Sequence, residues 1–313
     1  MGTPGLFDHV PNLRPIYPRN KLTREEAMRG SPNQKYQFVQ EVTVQIEEFK
    51  QAREYIDALL ERGKHTSKPG GLWIVGDGGV GKSFLLKDAH QRHPQLDTDI
   101  ARITPLLTLN FEGIPSISSL LIEMLLQLGQ EPELIRGQTN SELRKMLIDA
   151  LPACGTSGVL FDESQHFWLR TKRTADRNAG AFGEYLKELY DDTSLAFIFT
   201  GTPGLRDVFE NDNQVYTRWS GLLNLEPFKF GDQFFGVLAA LDQAIPLPEP
   251  AGLTNPKLAE KLFASTKGNF RLIKRMLAEA VLLADKDGAE SLDLHYLAKA
   301  HFLIFCSREN PFK

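Results

Sequence analysis

Gly76-Asp77-Gly78-Gly79-Val80-Gly81-Lys82-Ser83 follows the apolar run Leu72-Trp73-Ile74-Val75 and leads into Phe84-Leu85-Leu86-Lys87-Asp88-Ala89, a stretch compatible with a helix. Strand, glycine-rich loop and helix in that order make the phosphate-binding arrangement of a Walker A motif. The residue types answer to the chemistry. Glycines let backbone N–H groups converge on an anion, and the N-terminus of the helix faces it. Lys82 reaches the β- and γ-oxygens of a nucleoside triphosphate, and Ser83 coordinates magnesium. Bulkier residues would fill the space the phosphates need. The candidate nucleotide contacts are therefore Gly76, Asp77, Gly78, Gly79, Val80, Gly81, Lys82, Ser83 and Phe84, with ATP and Mg2+ as the ligands they imply.

Downstream, Gly158-Val159-Leu160-Phe161-Asp162-Glu163 reads as a short buried strand that ends in two carboxylates, the form of a Walker B motif. Asp162 is suited to hold the magnesium shell through water. Glu163, one residue on, is placed to polarise the water that attacks the γ-phosphate, so hydrolysis is expected as well as binding. The competing reading is that both acids cap the helix that follows.

The 313 residues are 42% hydrophobic and 24% charged, enough for one large or two modest cores. No apolar stretch approaches the roughly 20 residues needed to span a bilayer, and Met1-Gly2-Thr3-Pro4-Gly5 lacks the basic and apolar regions of a secretory signal. A cytoplasmic protein without membrane partners is expected. Cys154 and Cys306, the 2 cysteines, lack metal-ligand spacing and read as buried reduced thiols.

A net charge of −4 argues against coating nucleic acid through overall charge, but basic patches remain. Residues 1–35 carry Arg14, Arg19, Lys21, Arg24, Arg29 and Lys35 against Asp8, Glu25 and Glu26. A second cluster, Arg170, Lys172, Arg173 and Arg177 against Asp176, follows the Walker B segment. A solvated surface is the plain alternative for each.

Pro4, Pro11, Pro15, Pro18 and Pro32 without a sustained apolar period predict an extended basic, proline-rich arm over residues 1–35. One amphipathic helix follows on Phe38, Val42, Ile46, Phe49, Ile56 and Leu60. After the Walker A helix, the pattern predicts a strand over Arg102 to Phe111 and helices from Ile117 to Leu128 and from Thr139 or Asn140 to Leu151. Beyond the Walker B strand come a helix from Ala179 to Tyr190 and strands at Leu195–Thr200 and Leu222–Leu225. Strands alternating with helices demand an α/β fold: a parallel five-stranded sheet with helices on both faces. From Asp232 only helical periods occur. The expected division is an arm at 1–35, a P-loop domain at 36–229, a small all-helical domain at 230–304 and a tail at 305–313.

A P-loop sheet followed by a small helical lid, with Thr200 or Thr202 after the fourth strand, Arg218 before the fifth and Gly268-Asn269-Phe270-Arg271 at a lid helix, resembles an AAA+ ATPase. Within that superfamily the chain resembles the TniB/TnsC transposition regulators over about residues 36–300. The resemblance rests on the Walker A stretch, Phe161-Asp162-Glu163-Ser164-Gln165-His166-Phe167, Thr200-Gly201-Thr202-Pro203-Gly204 and Asn213-Gln214-Val215-Tyr216-Thr217-Arg218. It implies that Thr200 or Thr202 senses the γ-phosphate, that Arg218 is a finger presented to ATP on a neighbouring subunit, and that Arg271 closes on the phosphates of its own chain.

The resemblance further implies ATP-bound copies assembling head to tail, as a ring or a helical filament, on duplex DNA gripped by its backbone. Such an assembly recruits a transposase, serves a target-selection protein, and comes apart on hydrolysis. Candidate DNA contacts are Arg136 and Thr139, at a loop and helix N-terminus, and Lys172 with Arg173 after Walker B. Two alternatives stay open: an ATP-controlled protein-recruitment switch that touches no DNA, and another AAA+ role such as initiation or secretion assembly.

Overall fold

Five apolar runs become the strands β1 (Gly71–Gly76), β2 (Leu106–Asn110), β3 (Gly158–Asp162), β4 (Ala196–Gly201) and β5 (Gly221–Leu225). The computed structural model describes residues 10–16, 22–99, 101–111, 113, 115–168, 177–307 and 309–313. The chain divides into two units: residues 48–225 form one, and the described residues up to Glu47 join Glu226–Lys313 in the other.

In the first unit the strands lie in the order β2-β3-β4-β1-β5, all parallel. Helices such as Lys82–Arg92, Asn140–Ala153 and Arg177–Asp192 provide the crossovers that parallel pairing requires. The register sets an apolar row straight across the sheet: Leu109 beside Phe161, Phe161 beside Phe199, Phe199 beside Trp73, and Trp73 beside Leu222. Phe161 and Phe199 stack at 5.1 Å, and Phe199 and Trp73 at 4.3 Å. Each of these three rings is fully buried, contributing about 1.5–3 kcal/mol of hydrophobic stabilisation apiece. One residue further along, the β2, β3 and β4 positions turn polar as Asn110, Asp162 and Thr200, while β1 and β5 stay apolar at Ile74 and Leu223. Core and chemistry are thus adjacent rows of the same ladder.

The second unit contains the helices Asp232–Ala244, Pro256–Thr266, Phe270–Lys286 and Leu294–Phe305. Asn255 caps Pro256–Thr266 as its sequence signal predicts, accepting from the Lys257 N–H at 3.1 Å.

The expected extended arm does not hold from Thr23 onward. Arg24–Arg29 and Pro32–Glu41 are helices, each opened by a capping box, Thr23 with Glu26 and Ser31 with Gln34. Arg24 donates to the carbonyls of Ile245 and Leu247 at 2.9 and 2.8 Å, and the buried Lys35 pairs with Asp285. Arg24 and Lys35 thus bond within the helical unit.

The single helix expected through Phe38 to Leu60 is also two, Pro32–Glu41 and Glu47–Gly63. Between them Thr43–Val44 pairs antiparallel with Pro15–Ile16. The β-branched run Val42-Thr43-Val44 prefers a strand once a partner is at hand. The strand predicted over Arg102 to Phe111 is interrupted likewise. Arg102–Ile103 pairs antiparallel with Leu96–Asp97, Thr104 leaves that ladder by donating its N–H to the Cys154 carbonyl at 2.8 Å, and β2 begins after Pro105. Cys154 is buried, and burial raises its thiol pKa; Cys306, expected to be buried, is exposed at the end of Leu294–Phe305. The tail folds back: Asn310 donates to the Ala298 carbonyl at 2.8 Å, and Phe312 is buried.

Candidate functional site

The Walker A loop leaves β1 at its C-terminal end, where ligands of open parallel sheets bind. Gly79 and Gly81 adopt left-handed φ values of 89° and 113°, which β-carbon-bearing residues resist. A β-carbon on Gly78 would meet open space, whereas one on Gly81 would strike the ring of Phe49. Phe49 is buried and lies 5.2 Å from Phe84 between ring centroids, forming a floor beneath the start of the Lys82–Arg92 helix. Its helical period is legible in the sequence, but its place under the loop is not. The helix is capped at Gly81 without a side chain, leaving its N-terminus to an anion. Lys82 Nζ donates to the carbonyls of Gly76 and Asp77 at 2.6 and 2.9 Å, arched over the loop. Asp77, Gly78 and Ser83 are exposed. The cradle fits a polyphosphate.

β4 separates β1 from the Walker B strand β3, and its end ties the acids in place. Thr200, fully buried, donates from Oγ1 to Asp162 Oδ1 at 2.5 Å, and the Glu163 N–H donates to the same oxygen at 2.9 Å. The chain then turns at Glu163, a non-glycine residue at φ 50°, a left-handed conformation costing about 1–2 kcal/mol. Two bonds secure the turn: Ser164 N–H to the Thr200 carbonyl at 2.7 Å and Ser164 Oγ to the Phe161 carbonyl at 2.9 Å. Thr202 acts through its backbone, donating its N–H to Gln165 Oε1 at 3.2 Å, and Gln165 Nε2 donates to Glu163 Oε2. Gln165 was not singled out in the sequence, where it is one polar residue among several after the acids.

Among the described residues no group of three or more His, Cys, Asp or Glu side chains stands ready to hold a metal. The donors that suit magnesium here are the Ser83 hydroxyl and the Asp162 carboxylate, whose Oδ1 already accepts from two donors. Hard oxygen donors of this kind, completed by phosphate oxygens and water, fit that ion.

Arg218 ends the short helix Asn213–Arg218, just ahead of β5. Its Nη2 lies 2.6 Å from Asp191, which also pairs with Lys68 at 3.2 Å. These cations, Arg218 first, hold the Asp191 carboxyl below its ordinary pKa. The Arg218 helix is itself anchored. Asp212 caps it through the N–H groups of Gln214 and Val215, and the buried Lys187 reaches Asp212 at 3.0 Å and Gln214 at 3.2 Å. Trp219, immediately after Arg218, is core: it stacks on Phe197 at 5.4 Å, and its carbonyl accepts from Trp73 Nε1 at 3.1 Å.

Arg271 is exposed in the first turn of Phe270–Lys286, in the helical unit. Arg136 and Thr139 are exposed, and Thr139 caps Asn140–Ala153 in a capping box. Its N–H and hydroxyl both donate to Glu142 at 2.7 Å, so a carboxylate already occupies that helix start. Lys172 and Arg173 lie outside the described residues. No helix of the described residues is long and apolar enough to cross a membrane.

Solved structures with this fold include the Aeropyrum pernix ORC2 protein in its ADPNP-ADP complexes, 20% identical at a TM-score of 0.58, the match covering 82% of this chain and 66% of that one. The Aeropyrum pernix ORC1 protein in complex with DNA matches at 14% identity and a TM-score of 0.56, over 82% of this chain and 65% of that one. The Walker-type ATPase of Pyrococcus abyssi matches at 19% identity and a TM-score of 0.53, over 80% of this chain and 71% of that one. The chain spans just under two thirds of the length of the two ORC proteins, and at these identities the likeness is one of fold. No curated protein matches. The family model described as bacterial TniB protein matches residues 35–229, from before the Glu47–Gly63 helix to beyond β5. The chain belongs to this TniB family and carries it on the fold of an AAA+ ATPase.

Proposed function

We propose that this chain is an ATP hydrolase that regulates DNA transposition: ATP-bound copies assemble head to tail on duplex DNA, recruit a transposase, and separate when ATP is hydrolysed. The observation that carries the catalytic part is the lattice at the end of β4, which holds Asp162 and Glu163 one strand away from the strand that bears the Walker A loop. The loop N–H groups and Lys82 bind and orient the triphosphate. Ser83 and Asp162 would hold magnesium, which would supply neutralisation of the phosphate charge. Glu163 takes a proton from water as the new oxygen–phosphorus bond forms and the bond to the β–γ bridging oxygen breaks, releasing ADP and phosphate.

In this reading Arg218 serves the nucleotide of a neighbouring copy, and Arg271 and a hydroxyl or N–H at Thr200 or Thr202 report on the γ-phosphate. Leaving Asp191 costs Arg218 little, because a partly exposed ion pair contributes about 1 kcal/mol or less. DNA contact by Arg136, Thr139, Lys172 and Arg173 is to the phosphate backbone. The DNA-bound ORC1 neighbour lends the fold's compatibility with a duplex to this reading. The Thr139–Glu142 capping box favours a second reading, in which ATP controls protein recruitment alone, because a phosphate there must displace a carboxylate.

Glu163→Gln tests the main reading. It is expected to bind ATP yet hydrolyse it about 10²–10⁴-fold more slowly, and to accumulate on duplex DNA as assemblies visible by negative-stain microscopy. Equal turnover in the variant and the parent removes Glu163 as the base, and assemblies that ignore the duplex favour the recruitment switch.

A further inference from the structure

We propose that Gln165 is a positioning residue for hydrolysis, a clamp that holds the Glu163 carboxylate against the end of β4 so that base and γ-phosphate sensor move as one body. The inference rests on the reading of Glu163 as the base, and adds to it a residue and a coupling.

Three observations carry it. The Gln165 side-chain amide has only one workable orientation. The Thr202 N–H is a donor and requires Oε1 as its acceptor, which turns Nε2 toward Glu163, whose carboxylate can only accept. A leucine or methionine at 165 would fill the same space and make neither bond.

The room for this amide has been kept clear. A β-carbon on Gly201 would overlap Gln165 Oε1 and would approach Leu205 Cδ1 to 2.5 Å. Gly201 lies in the regular strand β4 without a left-handed φ, so conformational freedom does not account for a glycine there. The close approach of the amide and Leu205 does.

Finally, the clamp links the two segments that have to agree before water is activated. Through Gln165, the sensor segment Thr200-Gly201-Thr202 is joined to Glu163 at the same place where Thr200 is joined to Asp162 and to the Ser164 N–H. Glu163 itself sits on a left-handed turn, and a residue so placed keeps its geometry only where its surroundings over-determine it. A displacement of the sensor segment by a γ-phosphate is therefore passed to the Glu163 carboxylate through Gln165, beside the bonds that tie Thr200 to Asp162 and Ser164. Gln165 acts on the reaction through Glu163 and need not touch the nucleotide.

The test compares single-turnover hydrolysis of ATP by the full chain, with magnesium and duplex DNA, in four proteins: the parent, Gln165→Met, Glu163→Gln and the double variant. Binding is followed in parallel with a mant-labelled ATP. Gln165→Met is expected to leave nucleotide affinity within about twofold and to lower the hydrolysis rate about tenfold to a hundredfold, the loss typical of a misplaced catalytic group. In the Glu163→Gln background it should lower the rate no further, because the clamp acts only through that carboxylate. Gly201→Ala, which pushes the amide away without touching Glu163, should reproduce the loss in rate with affinity kept.

A Gln165→Met rate equal to or above the parent's overturns the clamp, as does an equal further loss in the Glu163→Gln background, which marks a general structural effect. A parent that does not hydrolyse ATP, or a Glu163→Gln protein as fast as the parent, overturns the assignment of the base and the clamp with it. An active parent with an impaired Glu163→Gln and an unimpaired Gln165→Met overturns the clamp alone.

Discussion

Thr200 shows how one hydroxyl directs a carboxylate. Its side chain is fully buried, and Oγ1 has Asp162 as its acceptor at 2.5 Å, while Asp162 Oδ1 also takes the Glu163 N–H. Valine has nearly the same shape and no donor, so Thr200→Val removes the bond and keeps the volume. Losing a hydrogen bond to a charged group costs about 1.5–3 kcal/mol, and here the loss falls on the orientation of Asp162, the proposed magnesium-shell ligand. Thr200→Val is expected to raise the magnesium concentration for half-maximal hydrolysis by about tenfold or more. A magnesium titration of the ATPase, with a thermal melt as control, checks this. An unchanged titration would mean that the Glu163 N–H orients Asp162 unaided. The same position separates what two threonines do: Thr200 contributes a hydroxyl to the acids, and Thr202 a backbone N–H to Gln165.

At the scale of the element, caps decide where the N-terminal helices begin. Thr23 and Ser31 each accept from a first-turn N–H, and Glu26 and Gln34 return the bond. Pro32 then occupies the first helical position, where its fixed φ helps and its missing N–H costs nothing. Read as loop punctuation, the prolines of this region conceal these helices; read as a cap followed by Pro at the first position, Ser31-Pro32 announces one. Thr23→Ala and Ser31→Ala are each expected to lower stability by about 1 kcal/mol. Urea titration of the full chain measures it, and midpoints that do not move would show that Arg24 and Lys35 hold these segments without the caps. The helix Pro32–Glu41 is also secured at its other end, where Lys274 Nζ donates to the carbonyls of Gln40 and Val42 at 2.6 and 2.9 Å. The short helix bearing Arg218 relies likewise on Asp212 and the buried Lys187, since six residues make too few internal bonds to stand alone.

At the scale of the whole molecule, a site that binds nucleotide only when folded links the ligand to stability. ATP with magnesium at a hundred times its dissociation constant is expected to stabilise the fold by about 2.7 kcal/mol, and Lys82→Ala should abolish the gain. Differential scanning calorimetry of both proteins, with and without nucleotide, checks it; an equal shift in both would place the binding elsewhere. The Walker A loop and the Walker B acids could be read from the residues alone, because each depends on neighbours along the chain, and the parallel sheet from the alternation of strand and helix patterns. Glycines at 79 and 81 permit the left-handed turns, Lys82 and Ser83 follow at once, and Phe161 runs straight into Asp162. Other features required the folded chain: Phe49 beneath Gly81, Thr200 on Asp162, Gln165 between Glu163 and Thr202, and the pairing of Pro15–Ile16 with Thr43–Val44. These contacts join segments brought side by side by strand register and crossovers, or by a local turn that such pairing holds. Register is chosen by burial summed over a whole core, in which an aromatic row on one face carries the polar row beside it into place, and no short stretch of sequence contains that sum.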